Sequence, residues 1–349
     1  MSVFTPEGGF DFRLRRGRWS HTAARRRWVR RNAWPVVVYV LLALIVLAQR
    51  IVHPTYGAFE VQSAVIGAMP FVLATMGQAC VVLAGGIDLA VGNELALFNV
   101  IAATLMAHTT FGEALLISLL VLVLGFALGA LTGMIVNVTG VPDIIVTLAT
   151  SFVWAGVALL IMPTAGSGGA PSTYATLFTG ELADIWPWSG TLGSVIPAGL
   201  LTLAFAVVVI WLPFRRSRAS LALYALGSNR TAAFLSGVSV HRTRSLAYGL
   251  AGTFAALGGL ALTGTTGSGD PTVGTSYTLN SVAAVVLGGI SLAGGRGGMA
   301  GPIAAAFALY GLLILLQFLG ISVDYQYMVQ GASLIIIILF LGRLWVQRR

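Results

Sequence analysis

Residues 81–92 read VVLAGGIDLAVG, and residues 285–295 read VVLGGISLAGG, the same string with one residue deleted. In each copy an apolar run meets a glycine pair, Gly85-Gly86 or Gly288-Gly289. Glycine lacks a Cβ and loses much backbone entropy in a helix, so each pair marks a helix end or an interruption. Backbone that is not helical at membrane depth must be buried in protein or face water. If the flanking runs cross a bilayer, these turns therefore belong to the working parts. The two strings suggest parallel structural repeats, a common plan among transporters; the alternative is chance similarity in a chain rich in Gly, Ala, Val and Leu. Other glycines, such as Gly125 and Gly129, read as residues that let helices approach closely.

The composition requires a bilayer. Of 349 residues, 57% are hydrophobic and 9% charged, against about 25% charged in a soluble globular protein. At roughly 20 residues per spanning helix, the apolar content allows at most about ten spans. A β-barrel is excluded, because it needs alternating segments of about ten residues and the chain offers long unbroken apolar runs. The expected fold is all-α and polytopic. All 20 basic residues are arginine, so no lysine is present to bind phosphate in a P-loop or to form a Schiff base. Cys80 is the single cysteine, and His21, His53, His108 and His241 are scattered. The expectation is no disulfide, no metal centre and no cofactor bound by this chain.

Charge sets the topology. Nine arginines lie between Arg13 and Arg31, just before the first apolar run, which places the N-terminus in the cytoplasm. The run Pro35 to Ala48 has no small-residue cleavage site after it and reads as a retained span rather than a signal peptide. The net charge of +9 is assigned to anionic lipid rather than to nucleic acid, because the arginines adjoin a span. Arg215, Arg216, Arg218, Arg230, Arg242 and Arg244 mark a cytoplasmic loop, and Arg343, Arg348 and Arg349 a cytoplasmic tail. Pro163 to Gly190, with Glu181, Asp184, Trp186 and Trp188 and no arginine, is expected outside.

These anchors fit ten spans, at about 34–50, 63–84, 91–109, 113–138, 142–162, 191–213, 245–263, 279–294, 298–320 and 326–343. The chain divides into an arginine-rich extension (1–33), a transmembrane domain (34–343) containing the cytoplasmic loop 214–244, and a tail (344–349).

Asp88 and Glu94 sit in or beside the third expected span, where an ionised carboxylate costs about 2.5–3.5 kcal/mol at the bilayer centre on insertion scales. Neither should face lipid. Asp88, between a glycine turn and an apolar run, reads as a helix cap whose carboxylate accepts free amide hydrogens; direct substrate contact is the alternative. Glu94 lies on a different face and is either a pathway residue or close to the interface. Gln78, Asn99, Asn137, Thr147, Thr150, Asn280 and Gln317 are uncharged polar residues within or at the ends of spans. Most should bond between helices. Of these, Gln78, Asn99, Thr147, Asn280 and Gln317, with Asp88 and Glu94, are the candidates for lining a path suited to a polyhydroxylated solute.

Within the cytoplasmic loop, GSNRTAAFLSGVSV (227–240) has room for a short helix starting near Ser228 or Asn229 and ending at Gly237. Ala232, Ala233, Phe234 and Leu235 give it a small apolar face. Such a helix either docks on another protein or lies on the lipid surface.

Taken together, GGIDLAVG (85–92), VPDIIVTLAT (141–150), YALGSNRTAAFLSGVSV (224–240), GSGDPTVGTSYTL (267–279) and AAVVLGGISLAGGRGG (283–298) resemble the permease subunits of bacterial ABC importers for ribose, other monosaccharides and autoinducer-2. The resemblance spans nearly the whole membrane domain. It implies a multi-pass protein of the cytoplasmic (inner) membrane, a second permease copy as homodimer or heterodimer, two cytoplasmic ATPase subunits that use the ATP, and an external sugar-binding protein. It also implies that Asn229, Thr231, Ala232, Ala233, Leu235, Ser236 and Gly237 belong to a coupling helix seated in a groove of the ATPase. The chain departs from the pattern: Ala90 stands where serine is usual, Asn93 and Glu94 replace small or apolar residues, and Asp143 replaces a small neutral one. The arginine-rich extension has no counterpart. These departures leave the sugar open. Two other functions compete: an ion-coupled secondary transporter using Asp88 or Glu94, and a membrane enzyme, for which no convergent acid, base or metal cluster is visible.

Overall fold

The computed structural model describes residues 21–186, 190–193, 196–322, 325, 326, 328, 329, 331 and 332. In chain order its helices are α1 (His21–Val52), α2 (Ala58–Leu83), α3 (Val91–Met106), α4 (Phe111–Thr139), α5 (Asp143–Ile161), α6 (Ser172–Thr179) and two single turns, α7 (Leu182–Ile185) and α8 (Gly190–Gly193). Then come α9 (Gly199–Phe205), a π-helical stretch (Ala206–Trp211), α10 (Leu212–Arg215), α11 (Arg218–Ser228), α12 (Arg230–Leu235), α13 (Val240–Thr266), α14 (Gly274–Leu287) and α15 (Ala300–Phe318). Among the described residues there is no strand, only two isolated bridges.

The bundle is built around α2 and α13. From Ala68 to Leu83 every residue of α2 is buried, as is most of α13 beyond Ala247. A helix that is apolar all round needs protein or lipid on every side, and here protein supplies it. The outer helix α4 shows the complementary design. Gly125, Gly129 and Gly133 recur every four residues and face α13; a Cβ on Gly125 would meet the Gly252 carbonyl oxygen at 2.6 Å. Small residues at this spacing let two backbones touch. The other face of α4 exposes Leu116, Leu119, Val123, Met134 and Val138, and α5 exposes Ile145, Phe152 and Leu160. In an apolar chain of this length such a surface is covered by lipid or by a neighbouring membrane protein.

Six helices are long and apolar enough to cross a bilayer, at Pro35–Val52, Ala58–Leu83, Phe111–Thr139, Asp143–Ile161, Val240–Thr266 and Ala300–Phe318. Gly199–Arg215 with Arg218–Ser228, bent by 77°, makes a seventh if counted as one. Seven of the ten expected spans are therefore matched by these helices, and the tenth falls mostly outside the described residues. In place of the third and eighth spans stand α3 and α14, of 16 and 14 residues. At 1.5 Å per residue these reach about 24 and 21 Å, short of the roughly 30 Å hydrocarbon core. Apolar residues buried against protein look the same in sequence as residues facing lipid, so hydropathy could not separate them. Residues 1–20 of the arginine-rich extension, most of the expected tenth span and the tail lie outside the described residues; residues 21–33 are the start of α1.

Candidate coupling and translocation site

The two glycine turns are the same structure. At the end of α2 the Gly85 N–H donates to the Val82 carbonyl and the Gly86 N–H to Val81, both at 3.0 Å, with Gly85 at φ +86°. At the end of α14 the Gly289 N–H donates to Val286 at 3.0 Å and the Ile290 N–H to Val285 at 3.2 Å, with Gly289 at φ +85°. Each is a Schellman cap, which satisfies the last helical carbonyls through a left-handed residue that favours glycine. The structural register is therefore Gly85 with Gly289, without a gap, and the one-residue deletion falls after the turn. Matching glycine pair to glycine pair, as the strings invite, is one residue out.

The turns also meet. The Gly295 N–H donates to the Leu83 carbonyl at 2.9 Å. A Cβ on Gly294 would stand 2.7 Å from the Gly85 Cα and 2.9 Å from the Gly227 Cα. Gly227 lies in the last turn of α11, two residues before Asn229. Backbone from both glycine turns and from the loop segment thus packs together with no side chain between.

Beyond the first turn, the chain to α3 is pinned by polar contacts. Asp88 is buried, and its Oδ1 accepts from the Ala90 N–H at 2.8 Å. The Gln78 amide, oriented with its nitrogen toward the Asp88 carbonyl, donates there at 2.7 Å and accepts from the Asp88 N–H at 3.2 Å. Thr147 donates to the Asp143 carbonyl at 2.8 Å and approaches the Ile87 carbonyl at 3.3 Å. Asp88 thus serves the start of α3, its carboxylate bonding the backbone of Ala90, the N-cap position, and of Val91, the first helical residue. Gln78, Asp88 and Thr147 come together around one loop.

The remaining candidates divide. Glu94 is buried in the first turn of α3, where its carboxylate faces the Trp154 indole N–H of α5, and Asp88 Oδ2 makes no hydrogen bond among the described residues. The adjacent Asn93 bridges to α5 by donating to Ser151 Oγ at 2.7 Å. Asn99 belongs to another cluster: it donates to Thr263 Oγ1 at 2.8 Å and to the Ser268 carbonyl at 3.1 Å, and accepts from the Asp270 N–H at 2.7 Å. Asn280 is half-buried and bonds back to Ser276 of its own helix, and Gln317 is exposed near the end of α15. The structure brings neither to the Asp88 loop. Asn137 bonds between helices, to the His241 carbonyl at 3.0 Å and Ser245 Oγ at 3.2 Å. Among the described residues no group of three His, Cys, Asp or Glu side chains is placed to hold a metal.

Sequence reasoning missed the contact nearest the loop. Asp143, the first residue of α5, is ion-paired with Arg244 and accepts from the Tyr248 hydroxyl at 2.9 Å. A Cβ on Gly86 would strike the same carboxylate.

The short helix α12 forms where the sequence indicates. Asn229 Oδ1 accepts from the Ala232 N–H at 2.9 Å as the N-cap. Gly237, at φ +83°, closes the other end, with its N–H on Phe234 at 2.9 Å and the Val238 N–H on Ala233 at 3.0 Å. The apolar face is split: Ala233 is 4% exposed and packs inward, whereas Phe234 and Leu235 are 66% and 79% exposed. Thr231, Ala232, Ser236 and Gly237 are also exposed.

Residues 61–338 match the family described as branched-chain amino acid transport system / permease component. The chain belongs to that family. The permease is 36% identical over 267 residues to the ribose import permease protein RbsC of Escherichia coli (strain K12), covering 76% of this chain and 79% of the relative. It is 34% identical to RbsC of Bacillus subtilis (strain 168), with coverage of 76% and 80%. It is 28% identical over 322 residues to the galactose/methyl galactoside import permease protein MglC of Salmonella typhimurium, with coverage of 88% and 93%. No solved structure matches the permease. These relatives are import permeases, which favours an importer over an ion-coupled transporter. The permease is a multi-pass protein of the inner membrane, in keeping with its family and its apolar helices.

Proposed function

We propose that the permease is the membrane subunit of an ABC importer for a monosaccharide or a similar polyhydroxylated solute. Separate ATPase subunits hydrolyse the ATP, an external binding protein delivers the sugar, and a second permease copy completes the path. The α12 end of the molecule and both termini face the cytoplasm in this reading.

The observation that carries it is the backbone junction of Gly227 with Gly85 and Gly294. A helix exposing Phe234 and Leu235 for a partner is joined, two residues before its cap, to the broken-helix turn of each repeat. Closure of an ATPase pair would displace α12, and the junction would pass that displacement to both turns and to the Asp88 loop. Gln78, Asp88 and Thr147 then hold the entry of α3 in a fixed geometry as it moves.

Uptake by proteoliposomes containing the permease, its ATPase and its binding protein is the test. Labelled ribose or galactose should accumulate only with ATP and all components present. Accumulation by the permease alone, driven by a proton or sodium gradient, would overturn the proposal.

A further inference from the structure

We infer that the cleft beside the coupling helix receives a carboxylate side chain of the ATPase subunit, so that docking is fixed by charge as well as by the apolar knob. This rests on the docking role proposed for α12 and adds the chemistry of what meets it.

The cleft has a volume of about 410 Å³ and lies between α12 and the start of α13. Its lining is Arg230, Thr231, Phe234, Ser239, Val240 and His241. Phe234 belongs both to this wall and to the exposed face of α12, so a partner covering that face also covers the cleft mouth. The segment that builds it carries charge of one sign. No aspartate or glutamate occurs between Asp184 and Asp270, whereas Arg215, Arg216, Arg218, Arg230, Arg242 and Arg244 fall in that interval. Arg244 is engaged by Asp143. Arg230 is exposed at the cleft wall, with the Thr231 and Ser239 hydroxyls and the His241 ring beside it. An exposed guanidinium flanked by hydroxyl donors matches a carboxylate, which accepts two parallel hydrogen bonds from such a fork. Complementary charge of this kind fixes register and speeds encounter.

The absence of lysine from the chain makes the inference directly testable. In Arg230→Lys the only side-chain amine of the permease stands at the cleft. The permease–ATPase complex would be assembled in nanodiscs of phosphatidylcholine and phosphatidylglycerol, which carry no primary amine, and treated with a carbodiimide, which joins an amine to a carboxylate in contact with it. The expected result is a covalent link from residue 230 to an aspartate or glutamate of the ATPase, located by mass spectrometry and missing in the unsubstituted complex. Arg230→Glu should weaken association about tenfold, and raised salt should weaken the unsubstituted complex more than this variant. In parallel, a photo-cross-linker on Leu235→Cys reports docking by itself, since the native Cys80 is buried. A link from residue 235 without one from 230 would overturn this inference, whether the cleft is empty or filled by lipid, and leave docking intact. A link from neither would overturn the docking role itself.

Discussion

Arg244, in the second turn of α13, is ion-paired with Asp143 at the start of α5, and the Tyr248 hydroxyl one turn further on bonds the other carboxylate oxygen. Two helices are thereby clasped beside the Gly86 turn. The side chains of Arg244 and Asp143 are 16% and 12% exposed, so removing one partner strands a largely buried charge. Arg244→Gln should lower thermal stability in detergent by about 2–4 kcal/mol. The double variant Asp143→Asn, Arg244→Gln should recover part of the loss. Equal loss in single and double variants would show that the two side chains are not coupled.

The glycine junction separates backbone strain from close approach. Gly166 and Gly294 have φ of +84° and +83°, but a Cβ at Gly166 meets nothing within 4 Å whereas one at Gly294 would press on two neighbouring Cα atoms. Gly166→Ala should cost about 1 kcal/mol from the left-handed backbone alone. Gly294→Ala should cost about 3 kcal/mol or more and uncouple ATP hydrolysis from substrate, because strain and overpacking add. Thermal unfolding and substrate-stimulated hydrolysis in the assembled complex measure the two effects.

The split face of α12 makes neighbouring substitutions behave differently. Leu235→Glu should leave unfolding within about 0.5 kcal/mol of the parent while abolishing ATPase association. Ala233→Glu would bury an unpaired charge and should destabilise the loop by more than about 2 kcal/mol. Proteolysis of the loop and co-purification with the ATPase distinguish them. A fully stable Ala233→Glu would contradict the inward packing.

Glu94 is fully buried, with the Trp154 indole N–H as the one side-chain donor facing it among the described residues. Glu94→Gln keeps the shape and an oxygen for Trp154 while removing the ionisable group, so the thermal midpoint should stay level or rise. A fall equivalent to more than about 1 kcal/mol would reveal a partner that the ionised carboxylate holds.

Much of this architecture is legible in the residues. Asn229 and Gly237 delimit α12 because an N-cap acceptor and a left-handed glycine are local chemistry that needs no tertiary context. Gly125 and Gly129 mark a helix contact because small residues four apart leave a flat strip on a helix, although they do not name the helix that meets it. What escapes is whatever depends on distance in sequence. Asp143 and Arg244 are 101 residues apart, and nothing in either segment announces the other. The inward turn of Ala233 is equally hidden, since a helix of six residues is too short for a period to reveal its buried side. The contact of Gly85, Gly227 and Gly294 is made by backbone, which carries no residue-specific signal beyond the glycines themselves.

That last contact bears on how the transporter can switch. Side chains yield to a displacement by changing rotamer, and so act as slack in any mechanical linkage. Where three glycines abut, no such play exists, and a push on one segment must be taken up by the other two at once. Intermediate positions are thereby disfavoured, and the two turns should change state in a single concerted step rather than by degrees.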